Sequence, residues 1–305
     1  MESRFENEIR ILQKLDHPNI TVLFDMLKDT VNYYVIMELC STGTLFDYII
    51  EHRKMPEDDG KYVFKQIMTT LKYMQSEGIA HRDIKPENIL IDDKLHIKFI
   101  DFGFSDVQIQ NHLMRTRCGS SAYASPECLN GGPYNGLISD IWSAGVVLYT
   151  MLNGKLPWTK DNLVQLTRQI SDAEFFIPTN LSDDVRDLIN GMMNADVQKR
   201  YTVDQILDHP WLKTVQDPDF TNECHIKKSL GQEEVNSFFS LIPSVSANQI
   251  FNKSHLVDLS SIRSDTMHDG RCLLAMAKRR KLTRKRCVVP ILTSHRNNLS
   301  CAQLL

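Results

Sequence analysis

Two polar segments constrain this chain more than anything else in it: His81-Arg82-Asp83-Ile84-Lys85-Pro86-Glu87-Asn88 and, thirteen residues after Asn88, Asp101-Phe102-Gly103. Between them Ile89-Leu90-Ile91, the turn Asp92-Asp93 and the run Leu95 to Ile100 read as a β-hairpin. A hairpin brings its two ends back together, so the polar segments should meet at its open end. Upstream, Val63, Phe64, Ile67, Met68, Leu71 and Met74 form a wide apolar stripe at helical spacing that stops at Gly78. That pattern predicts a core helix delivering the chain to the first polar segment.

Elsewhere the periodicity is mainly helical. Phe5, Ile9, Leu12 and Leu15 predict an amphipathic helix over 4–15, ended by His17-Pro18. Two strand-like runs follow, Thr21 to Met26 and Tyr33 to Met37, around the polar turn Lys28-Asp29-Thr30. Later helices carry their own start signals, Ser182 before Val185, Leu188, Ile189 and Met192, and Thr202 with Gln205 as a capping box. Compact patterning ends near His209-Pro210-Trp211-Leu212, and the remainder reads as a tail with local helices.

Composition narrows the classes. A 305-residue chain that is 42% hydrophobic has room for one large core or two smaller ones and a tail. Its seven scattered cysteines form no C-x-x-C pair and follow no secretory signal, which points to a reducing compartment, the cytoplasm or the nucleus. No run approaches the roughly 20 apolar residues of a membrane span. Seven positive charges sit in the nine residues Lys278–Arg286, so the rest of the chain is more acidic than the formal net charge of −3. An acidic body argues against general nucleic-acid binding, which needs a basic surface facing phosphates.

The residues of the two polar segments suit phosphoryl transfer, whose charge-spreading transition state is served by positioning and cations. Asp83 can orient a substrate hydroxyl and accept its proton. Asn88 and Asp101 supply hard oxygen ligands for the Mg²⁺ ions that bridge ATP phosphates, and Lys85 can neutralise the transferring group. Any one of these is commonplace; together, in order and at this spacing, they match the protein-kinase signature set.

On those residues the chain resembles a eukaryotic Ser/Thr protein kinase over positions 5 to 213. The resemblance implies an α+β protein-kinase fold: a partial N-lobe over 1–40 (one helix and two strands), a mostly helical C-lobe over 41–213, and a partly disordered tail over 214–305. Ala124-Ser125-Pro126-Glu127 stands where the family has Ala-Pro-Glu, with Ser125 a departure, and Glu127 is expected to pair with Arg200. Asp140 in Asp140-Ile141-Trp142-Ser143 is expected to hold the catalytic loop by backbone hydrogen bonds. Lys85-Pro86-Glu87-Asn88 is similar to the Ser/Thr form of the family rather than the Tyr form.

His17-Pro18-Asn19-Ile20, Phe46-Asp47-Tyr48-Ile49 and Leu113-Met114-Arg115-Thr116-Arg117-Cys118-Gly119-Ser120 are similar to AMP-activated kinases within the calmodulin-dependent and AMP-activated group. That likeness implies an activation-loop phosphosite at Thr116, with Arg82 as phosphate partner and an upstream kinase to modify it. Glu87 falls where basophilic kinases receive a substrate arginine, but Gly43-Thr44 replaces the Gly-Glu usual in such relatives. Glu8, Met37, Glu38, Cys40 and Leu90 fall at nucleotide-site positions, and Leu12, Leu23, His81 and Phe102 at those of the hydrophobic spine. The resemblance implies ATP and Mg²⁺ (or Mn²⁺) as cofactors, protein serine or threonine as substrate, and a monomer.

The family partner of Glu8 is a lysine preceded by a Gly-rich loop. Neither occurs in the seven residues before Glu8. Three readings stay open: a kinase whose upstream segment is missing from this sequence, a catalytically impaired binding module, or an enzyme with a substitute lysine. Residues 1–40 are expected to be the least stable part. In the tail, Arg280 three residues before Thr283 leaves open a pseudosubstrate, a nuclear-localisation signal, a segment binding calmodulin or an acidic surface, or a solvated charge run.

Overall fold

The computed structural model describes residues 2–28, 32–38, 40, 43–108, 113–116, 118–215, 230–240, 291–295 and 298–302. In chain order the elements begin with α1 (Glu2–Lys14), β1 (Leu23–Lys28), β2 (Asn32–Met37), α2 (Leu45–His52) and α3 (Glu57–Ser76). The short strands β3 (Ile79–Ala80), β4 (Ile89–Ile91), β5 (Ile97–Phe99) and β6 (Asp106–Val107) follow. Then come α4 (Pro126–Leu129), α5 (Gly136–Asn153), α6 (Leu163–Ser171), α7 (Asp183–Met192), α8 (Val203–Leu207) and α9 (Pro210–Lys213). Last are α10 (Gln232–Ser240), β7 (Ile291–His295) and β8 (Asn298–Ala302). These helices and short strands form the α+β arrangement that the resemblance implies.

The chain divides into two compact units, one of residues 1–20 and 40–225 and the other of residues 21–39 and 226–305. The first is built on α3 and α5. Glu57, Asp58 and Asp59 in the first turn of α3 complement its dipole, and every residue of the predicted apolar stripe is buried. Gly78, at φ +67°, turns the chain out of the helix. Helix α5 is buried on all sides, from Gly136 through Leu152 apart from Leu137 and Ile138, which makes it the centre of this unit. Asn135 caps its start by accepting from the N–H groups of Leu137 and Ile138, and Gly154 ends it at φ +72°. A Cβ at Gly154 would lie 1.8 Å from the Arg53 carbonyl oxygen, so only glycine fits there.

The expected hairpin is β4–β5, with Ile89 opposite Phe99 and Ile91 opposite Ile97. Its second strand is shorter than the apolar run predicts. Leu95 has φ +64° and belongs to the turn, where Asp92 Oδ1 accepts the N–H groups of Lys94 and His96 at 2.9 and 2.8 Å.

In the second unit β1 and β2 are antiparallel and extend to a sheet of order β1-β2-β7-β8. Strand β1 starts two residues later than the pattern predicts, because Thr21 and Val22 lie outside the ladder and its register shifts between Leu23 and Asp25. Helix α10 supplies Phe238, whose ring lies 5.9 Å from that of Tyr33. The basic run 278–286, with Arg280 and Thr283, lies outside the described residues. Among the described residues no helix is long and apolar enough to cross a membrane.

Candidate active site

Helix α3 and strand β3 deliver the chain to His81, which is fully buried and packs its ring 4.9 Å from that of Phe102. Burial lowers the His81 pKa against the pull of Asp101 and Asp83, so the ring is neutral. Its Nδ1 accepts the Asp83 N–H at 3.3 Å, and its Nε2–H donates to the Ile100 carbonyl at 3.2 Å. One imidazole thereby ties the first polar segment to the residue just before Asp101. Leu12, in the same unit, is buried, as is Leu23 in the other.

Asp83 is buried and fully engaged. Its Oδ1 accepts the Ser120 N–H at 2.9 Å, while Oδ2 accepts from Lys85 Nζ at 2.8 Å and from Asn88 Nδ2 at 3.1 Å. Burial pushes its carboxyl up, but the Lys85 ammonium and the Ser120 N–H outweigh that and hold it below the usual range. Lys85 Nζ also donates to Ser120 Oγ at 3.0 Å, so the cation bridges the catalytic loop and the activation segment.

The hairpin sets Asn88 beside the second polar segment, since the Ile100 N–H donates to the Asn88 carbonyl at 3.1 Å. Asp101 follows at φ +59°, with its Oδ1 accepting the Gly103 N–H at 3.2 Å. Asn88 spends its amide N–H on Asp83, which leaves its Oδ1 as the atom suited to a hard cation. An amide oxygen and a carboxylate are the donor chemistry Mg²⁺ takes, usually with waters completing the shell. Among the described residues no cluster of three or more His, Cys, Asp or Glu side chains could hold a metal by itself.

Helix α1 packs one face on the same loop. Glu8 is largely buried; burial and the Asp101 charge push its carboxyl up to about 7, against the pull of Arg4. Arg4 Nε donates to the Gly103 carbonyl at 2.6 Å and Asn7 Nδ2 to the Ser105 carbonyl at 2.8 Å. Sequence reasoning missed both residues; their i, i+3, i+4 spacing with Glu8 was the available signal.

Arg82, at φ +64°, donates from Nε to the Phe104 carbonyl at 2.6 Å and pairs with Asp106 at 3.2 Å. Thr116 is exposed, and its carbonyl accepts the Tyr134 hydroxyl at 3.0 Å, where Met114 and Tyr134 exchange backbone hydrogen bonds. The structure therefore gives Arg82 an acidic partner other than Thr116. Glu87 has a buried Oε2 with no hydrogen-bond partner. It lies close enough to Tyr123 that, after burial, its charge is the next influence raising that phenol.

Three further positions are structural. Asp140 accepts the His81 and Arg82 N–H groups, and Arg200 holds Glu127 through two bonds of 2.6 and 2.9 Å. Ser125, the departure from alanine, caps α4 and pairs its Oγ with Ser139 Oγ at 2.8 Å. Thr44 forms a capping box with Asp47 at the start of α2.

The residues expected at nucleotide-site positions divide between the two units. Cys40 and Leu90 belong to the first, where Leu90 bridges to Thr44. Met37, buried at the end of β2, and Glu38, whose N–H donates to the Val22 carbonyl at 2.9 Å, belong to the second.

Known proteins are similar to this chain in sequence. The chain is 40% identical over 213 residues to serine/threonine protein kinase OSK3 of Oryza sativa subsp. indica, covering 70% of this chain and 42% of that one. It is 40% identical over 211 residues to the SNF1-related protein kinase catalytic subunit alpha KIN12 of Arabidopsis thaliana, covering 69% and 42%. With the probable serine/threonine-protein kinase HSL1 of Saccharomyces cerevisiae it shares 37% identity over 263 residues, 85% of this chain and 17% of that one. The match spans about two-fifths or less of these curated relatives. Residues 1–212 match the protein kinase domain, and the chain belongs to that family, among kinases related to the AMP-activated group.

Proposed function

We propose that the chain transfers the γ-phosphate of ATP to serine or threonine hydroxyls of protein substrates. The arrangement that carries this reading is Asp83, held ionised by Lys85, Asn88 and Ser120 at bonding distance. In that state its carboxylate can orient an incoming hydroxyl and take its proton, while Lys85 Nζ offers positive charge to the group in transit. Mg²⁺, or Mn²⁺ with the same taste for oxygen, would neutralise phosphate charge when bound by Asn88 and Asp101.

Regulation by phosphate on Thr116 is part of this reading, supported by the exposure of that residue and by an arginine, Arg82, already holding an anionic partner. So is preference for a basic residue upstream of the target, supported by the unpartnered buried oxygen of Glu87. Cysteine usage supports a reducing compartment, cytoplasmic or nuclear.

The experiment is ATP-dependent phosphorylation of a basic Ser/Thr peptide by the chain and by Asp83→Asn at equal concentration. Phosphotransfer lost in the variant supports the assignment. Equal rates would show a contaminating kinase, and no transfer by either would favour a catalytically silent binding module.

A further inference from the structure

We propose that Arg4 and Asn7 are positioning residues that clamp the 101–105 loop and hold Asp101 in its metal-binding conformation. This rests on the reading of Asp101 as a metal ligand given above.

Asp101 sits at φ +59°, a left-handed backbone that aspartate tolerates better than most residues but that still costs energy its surroundings offset. Inside the loop the restraints are slight: Gly103 N–H to Asp101 Oδ1 at 3.2 Å and Ser105 N–H to the Phe102 carbonyl at 2.9 Å. The remaining hold comes from outside. Arg82 takes the Phe104 carbonyl, while α1 takes the carbonyls on either side of it, Arg4 that of Gly103 and Asn7 that of Ser105.

Arg4 does more than donate one bond. Its guanidinium lies 3.5 Å from the centroid of the Phe104 ring, so the fork is stacked as well as bonded. Its Nη2 and two carboxylate oxygens also face the space beside Gly103. The point where a Cβ on Gly103 would lie is 3.1 Å from Asp101 Oδ1, 3.4 Å from Glu8 Oε2 and 3.5 Å from Arg4 Nη2. A surface arginine gains little from one exposed ion pair. Engaged by a carbonyl and a ring, this one is held by the loop it restrains.

Residues 4, 7 and 8 lie on one face of α1 because positions i, i+3 and i+4 coincide on a helix. Any displacement of α1 therefore moves both clamping contacts together.

The test measures Mn²⁺ binding to the full chain with ADP present, by the loss of the free-ion EPR signal, for the wild type, Asp101→Asn, Arg4→Met, Arg4→Lys and Asn7→Ala. Thermal melting and the peptide KM accompany each. The clamp predicts Mn²⁺ affinity about tenfold weaker in Arg4→Met, the scale of one lost bond from a charged donor, with melting temperature and peptide KM unchanged. Asn7→Ala should weaken it severalfold, and Arg4→Lys should recover only part, since lysine keeps the charge but not the stacked fork. Affinities within twofold of wild type in Arg4→Met and Asn7→Ala would overturn the proposal, as would a loss matched by lower melting temperature. If Asp101→Asn binds Mn²⁺ as the wild type does, the metal-site reading itself fails, and the clamp with it.

Discussion

Asp140 Oδ1 accepts the backbone N–H of Arg82 at 2.9 Å, at a residue whose φ of +64° lies in the left-handed region. Its other oxygen accepts the His81 N–H at 2.7 Å, so one buried carboxyl holds the strained entry to the catalytic loop. Burial pushes that carboxyl up to about 7, against the pull of the two N–H groups and the Arg82 charge. Between the unfolded value near 4 and about 7 the native state binds the extra proton. This contribution to stability is full below pH 4 and is lost as pH rises through 7, with a slope of at most about 1.4 kcal/mol per pH unit. Denaturant unfolding at several pH values should show a flatter dependence over that window for Asp140→Asn. Equal slopes for variant and wild type would refute the assignment.

Glu127 and Arg200 form a two-bond pair in which the Arg200 side chain is fully buried. Glu127→Ala leaves that guanidinium uncompensated and should cost about 3–5 kcal/mol. The double variant with Arg200→Met should cost less than the sum of the single ones, because the two share one interaction. Strict additivity in thermal or chemical unfolding would show that the pair is not coupled.

The buried Oε2 of Glu87 lacks a partner that a substrate guanidinium can supply. Peptides with arginine upstream of the target serine should therefore have a kcat/KM about 10- to 100-fold above their alanine counterparts. Glu87→Gln should erase most of that ratio. A ratio unchanged in the variant assigns the preference, if one is seen, to another acidic group.

Phosphate on Thr116 has to win Arg82 from Asp106, which holds it at 3.2 Å. In a chain phosphorylated at Thr116, a phosphate on that guanidinium should titrate below its usual second pKa of about 6 in ³¹P NMR. Asp106→Asn should lower it further by removing the competitor. A phosphate titrating normally in both proteins would place it away from Arg82.

Much of this was legible because the informative residues are contiguous. Asp83, Asn88 and Asp101 were singled out by order and spacing, and the buried stripe from Val63 to Met74 was found by period alone. Arg4 and Asn7 were not found, because polar residues on an amphipathic helix read as its solvent face until the loop they bond is known. Leu95 was drawn into a strand because hydropathy carries no sign of φ. Strand β7 was missed because its partner β2 lies more than 250 residues upstream, a pairing that local patterning does not encode, and β8 joins the sheet only through β7. Ser125 and Thr44, read in the sequence as departures from the family pattern, are helix caps.

Tyr134 grips the stretch around Thr116 by its hydroxyl and, through Met114, by both backbone polar groups. A modifying enzyme needs several residues of extended substrate, so it meets Thr116 only while those bonds are broken. If Thr116 is modified as proposed, the pace would be set by how often this short bridge opens, a local opening rather than global unfolding. Amide exchange at Met114 and Tyr134 reports that frequency directly, and slow exchange there would place a kinetic gate on the proposed modification inside the substrate rather than in the enzyme that acts on it.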